Sequence, residues 1–205
     1  MMVRCIKYSP YLYEESEIID IATIPEPPLE EIWRVEQRAF AYLFENSCQE
    51  WLETLLIANC IGVYVRNSSL SALLHADTPW SRSSGLRLSE QVNVFLDYLD
   101  EIVKEYHLTS LDESIVVASN QSWPGDRDEI CLALQKRGYN EIKVVVSDEP
   151  SVNVIFDKNG NLYWVNPKTI KDYDRWFYGS MQNLDNDGLK CMNTGEIVRK
   201  PLIKV

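Results

Sequence analysis

A mixed α/β fold, with several antiparallel hairpins and two main helices, is the class that the sequence predicts. Three observations predict it. Two short, apolar, β-branched runs, 60–66 and 69–75, flank Asn67-Ser68, the pattern of a β-hairpin. Leu88, Val92, Phe95, Leu96, Leu99, Ile102, Val103 and Tyr106 recur at helical spacing, so 86–106 reads as an amphipathic helix. A second helix opens at Asp126, with Glu129 three residues on as capping-box partner, and stops at Gly138 in the C′ role.

The remaining elements follow in order. Residues 3–8 (VRCIKY) read as a short strand. Residues 9–31 are rich in Pro and Glu, with PEPP at 25–28, and read as an irregular arm. Residues 33–44 (WRVEQRAFAYLF) alternate and read as one strand, and 51–58 as another. Strands are expected over 114–120, 141–147, 152–156 and 162–165, with DKNGN (157–161) as a turn. After Pro167 the pattern weakens, leaving the aromatic segment YDRWFYG and a final hairpin around MNTGE. The expected organisation is a single domain over 1–205. It comprises an irregular N-terminal arm (1–32), a core (33–166) and a C-terminal extension (167–205).

Composition narrows the function classes. The net charge of −11 is opposite to the clustered Lys and Arg that phosphate binding needs, so nucleic acid is not an expected partner. No stretch approaches the ~20 apolar residues that span a bilayer, and the start MMVRCIKYSPYLYEE, which turns acidic early, lacks the long apolar region of a secretory signal. The five cysteines are scattered without a C-x-x-C, so neither zinc nor a disulfide framework is expected, and the anticipated setting is a reducing cytoplasm. With two histidines in the chain, no metal or other cofactor is expected.

The hairpin carries the chemistry. If Asn67-Ser68 is the turn, Cys60 lies opposite His75 and Gly62 opposite Leu73, with opposed Cβ atoms ~4.5–5.5 Å apart. Ile61, Val63, Val65, Leu70, Ala72 and Leu74 form the other, uniformly apolar face. A thiol beside an imidazole can pass it a proton and attack as a thiolate, and the imidazolium can then protonate a leaving amine. The same two residues can equally be a buried free thiol and a hydrogen-bonded histidine.

VEQRAFAYLF (35–44), ANCIGVYVRN (58–67) and LLHADT (73–78), in that order, resemble the protein N-terminal asparagine amidohydrolases. That family has a V-x-Q-R-x-x-A strand, a catalytic Cys opening an apolar strand, and an H-x-D-G-T-like segment. PGDRDEICLALQKRGY and SVNVIFDKNGNLYWV are similar to the helix start and closing strands of the CheD chemoreceptor glutamine deamidases. The likeness covers about 35–165. Asp77 is followed directly by Thr78, without the Gly, and Ala39 stands where the asparagine amidohydrolases are acidic.

The resemblance implies a layered α-β-β-α sandwich of mixed, mainly antiparallel sheets with two main helices outside. It implies a cysteine hydrolase acting on side-chain amides of a peptide or protein substrate. N-terminal Asn is the first expected target and Gln in a protein the second. Cys60, His75 and Thr54, six residues before the Cys, form the implied catalytic triad. Asn59, Asp77 and Thr78 are the implied substrate-binding residues, with Asp77 either holding an α-amine or serving as a turn residue before Pro79. Thr54 and Cys60 share a face if one continuous strand carries both. A binding module retaining the fold, and a thiol protease or transglutaminase, stand as rivals.

Overall fold

The computed structural model describes residues 1–8, 17–78, 85–171 and 188–199. In chain order the strands begin with β1 (Met2–Lys7), β2 (Glu17–Asp20), β3 (Thr23–Ile24), β4 (Ile32–Val35), β5 (Ala39–Phe44), β6 (Trp51–Ile57), β7 (Ile61–Arg66) and β8 (Leu70–Ala76). Helix α1 (Leu88–Glu105), β9 (Glu113–Ala118) and helix α2 (Pro124–Lys136) follow. The chain continues through β10 (Ile142–Ser147), β11 (Val152–Asp157), β12 (Leu162–Val165), β13 (Gly188–Cys191) and β14 (Ile197–Arg199). The aromatic segment 173–179 lies outside the described residues.

The strands form two mixed sheets. The larger has the order β14-β13-β5-β8-β7-β9-β10-β1-β2, the smaller β3-β12-β11-β6-β4. Ala39, Ala41, Tyr64, Leu73, Val117 and Val145 of the large sheet bury against Val35, Leu52, Val154, Phe156 and Trp164 of the small one. The opposite face of the large sheet, with Val63, Val65, Leu70, Ala72 and Leu74, takes Val92, Phe95 and Leu99 of α1 and Ile130 and Leu134 of α2. A sandwich of two mixed sheets with two helices outside is what the chain forms, though not, among the described residues, in the α-β-β-α order expected. Both helices share one outer face, so the layers among the described residues run helix, sheet, sheet.

Local chemistry explains most element ends. Gly138, at φ 94°, closes α2: its N–H bonds Gln135 O at 3.0 Å and the next N–H, Tyr139, bonds Leu134 O at 3.2 Å. This pair of bonds satisfies carbonyls that the helix leaves free. The helix begins at Pro124, two residues before the expected Asp126, because proline's fixed φ suits the first turn. Glu129 does not cap its own helix. Its Oε1 accepts from the Ser89 N–H at the start of α1, tying the two helices together.

Three expectations are corrected. The stretch 33–44 is two strands, not one: β4 belongs to the small sheet and β5 to the large one. Glu36-Gln37-Arg38 turns the chain between them, with Arg38 at φ 52° and Ala39 N–H bonded to Glu36 O at 3.1 Å. Alternation hides the break, since Trp33, Val35, Ala39, Ala41 and Leu43 all face the space between the sheets. The irregular arm contains β2 and β3 beside the expected β1, strands of four and two residues that are too short to show a period. Thr54 and Cys60 are not on one strand. The chain leaves the small sheet after Ile57 and enters the large one at Ile61.

Candidate active site

The hairpin forms with its register displaced from the expected one. Arg66 pairs with Ser71, Val63 with Leu74 and Gly62 with His75. The two-residue loop is Ser68-Ser69, one position later than expected. Asn67 sets it: its N–H bonds Leu70 O at 2.9 Å, and its Oδ1 accepts from the N–H groups of Ser69 and Leu70, each at 2.7 Å. An asparagine side chain that satisfies the following amides acts as the first residue of the turn rather than its apex. The displacement moves each partner by two residues, so faces are kept. Cys60 and His75 remain on one face, as diagonal neighbours, and continuing the register past the strand ends sets Cys60 opposite Asp77. That face is the buried one between the sheets.

The sandwich brings Thr54 to His75. β4 runs parallel to β6, pairing Val35 with Thr54, and Arg34 Nε reaches Glu53 Oε2 at 2.6 Å on the other side of that sheet. Thr54 therefore points at the large sheet. Its Oγ1 lies 2.7 Å from His75 Nδ1 and 3.0 Å from Val35 O. The hydroxyl has one proton, which goes to Val35 O, so Oγ1 accepts from Nδ1–H. This network assigns the tautomer: Nε2 carries a lone pair, and it has no hydrogen-bond partner among the described residues. Complete burial pushes the His75 pKa down to about 4, so the ring is neutral at pH 7. Gly62, opposite His75, leaves room for this crossing. A Cβ there would come within 3.0 Å of Ile57 Cδ1 and 3.9 Å of Thr54 Cγ2.

Cys60 occupies the bend between β6 and β7. Its thiol donates to Asp77 Oδ1 at 3.3 Å, and Gln37 Nε2 donates to the sulfur at 3.5 Å. No hydrogen bond joins Cys60 to His75 among the described residues. Burial, and then the Asp77 charge, push the thiol pKa up to about 12, against the Gln37 amide and the Thr78 N–H, which favour the thiolate. Asp77 is itself paired: Arg38 Nε reaches its Oδ2 at 3.1 Å, and both side chains are buried. The resting pair is thus a neutral thiol and a neutral imidazole.

The loops that carry these groups are fastened to one another. Gln91 of α1 accepts from Asp77 N–H at 3.0 Å and donates to Asp77 O at 2.8 Å. Arg38 N–H bonds His75 O at 3.0 Å. Thr78 Oγ1 donates to Asn59 O at 2.7 Å, while the Asn59 residue is exposed. Ser122 Oγ lies 3.1 Å from Cys60 O and 3.0 Å from Ala58 O, and Ser119 Oγ also bonds Ala58 O. All six sequence-derived candidates, Thr54, Asn59, Cys60, His75, Asp77 and Thr78, therefore gather at one end of the sandwich. Sequence reasoning missed Gln37, Arg38, Gln91, Ser119 and Ser122. Of these only Gln37-Arg38 left a signal, as the Q-R of the V-x-Q-R-x-x-A motif, to which no role was attached. Among the described residues no group of three or more His, Cys, Asp or Glu side chains is gathered as a metal site would require.

Thr54→Val tests the bridge between the sheets. It keeps the shape, removes the acceptor for Nδ1–H and removes the hydroxyl's bond to Val35 O. Each unmade buried bond costs about 1–3 kcal/mol, so a lower urea midpoint is expected. Loss of the fixed tautomer is expected to lower any His75-dependent turnover by about 10²-fold or more. An unchanged turnover would remove Thr54 from the site. No protein-family model matches the chain, and no curated protein matches it.

Proposed function

We propose that this chain is a cysteine-dependent side-chain amidohydrolase acting on peptides or proteins, with N-terminal Asn as the first target and Gln in a protein as the second. One observation carries the reading: a buried histidine whose Nδ1–H is held by Thr54, leaving an Nε2 lone pair, without a partner among the described residues, on the face that Cys60 shares. A buried polar atom without a partner calls for a reason, and a base awaiting a proton supplies one.

The proposed reaction begins with rotation of the Cys60 side chain away from Asp77 into another staggered well. As the sulfur attacks the carboxamide carbon, its proton passes to His75 Nε2. The imidazolium returns that proton to the departing nitrogen, which leaves as ammonia, and a thioester remains. His75 next takes a proton from water, whose oxygen attacks the thioester carbonyl. The C–S bond breaks, the sulfur recovers the proton, and the product is a carboxylic acid, which gives its proton to solvent and leaves as a carboxylate. Asp77, buried beside the sulfur with its charge paired by Arg38, is the group suited to exchange its thiol bond for one to a substrate ammonium. This favours an N-terminal residue over an internal one. Thr78 and Asn59 line the same edge and would contact the substrate.

The thiol–Asp77 bond also favours a second reading, a binding module that keeps the fold without turnover. Slow alkylation of Cys60 fits both readings, since its pKa is raised, so product formation must decide. The test is incubation with short peptides that begin with Asn, begin with Gln, or carry an internal Gln. Ammonia release with a gain of about one dalton and no chain cleavage is expected first for N-terminal Asn. Cleaved peptide would assign a protease, cross-linked product a transglutaminase, and no product from any peptide would leave the binding module. The proposed setting is a reducing cytoplasm, supported by Cys5, Cys48, Cys60, Cys131 and Cys191 all being free thiols. No helix among the described residues is long and apolar enough to cross a membrane.

A further inference from the structure

The sulfur has a second neighbour that the mechanism above leaves unused. Gln37 stands in the turn where the chain passes from the small sheet to the large one. The turn is pinned on both sides: Ala39 N–H bonds Glu36 O at 3.1 Å, and Arg38 N–H bonds the carbonyl of His75 itself at 3.0 Å. The half-buried Gln37 side chain is thereby carried on a backbone attached to the general base.

Its orientation follows from proton counting. The one thiol proton goes to Asp77 Oδ1, so the sulfur can only accept from Gln37, and the group 3.5 Å away is the amide NH₂. That NH₂ has two protons and one hydrogen-bond partner among the described residues. It is neutral, so no charge draws it to Asp77, whose Oδ2 is engaged by Arg38. When a carbonyl carbon bonds to the sulfur, the carbonyl oxygen comes to lie within a few ångströms of Sγ, and the rotation of Cys60 out of its resting contacts frees the Gln37 NH₂ to meet it. Donors aimed at the place where charge develops are the largest single contribution in many acyl-transfer sites.

We infer that Gln37 is a catalytic residue of this site, an oxyanion donor whose side-chain amide stabilises the tetrahedral adduct on Cys60 together with backbone N–H groups near the sulfur. The inference rests on the proposed cysteine chemistry but not on which amide is the substrate. In the adduct the carbonyl π pair becomes an oxyanion lone pair. Gln37 donates a hydrogen bond to it without transferring a proton, and the bond is released when the carbonyl re-forms.

The test compares two reactions of Cys60 in the intact chain, each followed by peptide mass mapping. Acylation by p-nitrophenyl acetate passes through an oxyanion; alkylation by iodoacetamide does not. Gln37→Ala, and Gln37→Glu, which keeps the size but loses the donor, are expected to lower the acylation rate by about 10²–10³-fold. Alkylation should change only a few-fold, and thermal melting confirms that each variant is folded. With an accepted peptide, kcat should fall with KM little changed. Equal losses in acylation and alkylation would show that Gln37 only stabilises the thiolate, and no loss would show a structural role; either overturns the inference. A wild-type Cys60 that neither reagent modifies also overturns it. Failure of every peptide amide alongside a clear acylation difference would remove the amidohydrolase reading and leave Gln37 in its role.

Discussion

Replacing Cys60 with Ala is expected to end ammonia release, and replacing His75 with Gln to lower it by about 10²–10⁴-fold, the usual share of a positioned general acid–base. The wild-type pH profile checks the same pair without mutation. The reacting form needs an unprotonated His75 Nε2 and a thiol proton to hand over. Burial pushes His75 down to about 4 and the Cys60 thiol up to about 12. The acid limb of kcat/KM should therefore lie near pH 4, not near the ordinary histidine value of ~6.5, and the rate should be level through neutrality. His75→Gln should erase the acid limb. A bell centred between about 6.5 and 8.5 would mean that the reacting form is an exposed ion pair rather than this buried neutral one.

Stability carries the opposite face of that shift. Below its unfolded pKa of ~6.5 the histidine binds a proton in the unfolded chain that the folded chain refuses until about pH 4. The His75 contribution is thus present above pH 6.5 and is lost as pH falls toward 4. Circular dichroism at each pH separates this loss from the kinetic acid limb, and His75→Gln should make acid unfolding less steep.

How much of this was legible in the residues depends on the range of the interaction involved. Hairpin, helices and the strands after Asp112 follow from period and turn chemistry, which are local. The register needed Asn67's side chain, which closes the turn one residue later than its position as a turn former implies. The error was harmless to the site because a two-residue shift preserves parity, and harmful to the contact, because the observed register sets Asp77 rather than His75 across from Cys60. Thr54 was placed in the site by resemblance. The strand-parity argument for it fails, since its hydroxyl reaches His75 across the gap between two sheets. The change of sheet at 36–38 was illegible because alternation runs through it unbroken, and with it went the position of Gln37. Serines that hold a bend by its carbonyls, such as Ser119 and Ser122, have no periodic signature.

If the site depends on two sheets meeting, the contact that holds them together should dominate stability. Tyr64 of β7 and Phe156 of β11 stack across the gap, with centroids 4.1 Å apart and planes 4° from parallel, and both are fully buried. Phe156→Ala removes the small sheet's half of that stack, and the backbone ladders on both sides, β6 and β12, restrain collapse into the space. A loss of about 3–5 kcal/mol is expected, read as a lower urea midpoint by tryptophan fluorescence. Phe156 pairs with Leu52, while Thr54 pairs with Val154, one inward-facing step closer to Cys60. At ~3.4 Å per residue the cavity opens about 7 Å along the strand from the Thr54 hydroxyl. Turnover per folded molecule should consequently stay near wild type, and total turnover should track the folded fraction as urea is raised. A variant that keeps its midpoint but loses turnover would place the mechanical link elsewhere: the sheets would be held by the remaining apolar contacts, and the ring of Phe156 would be supporting Thr54 directly.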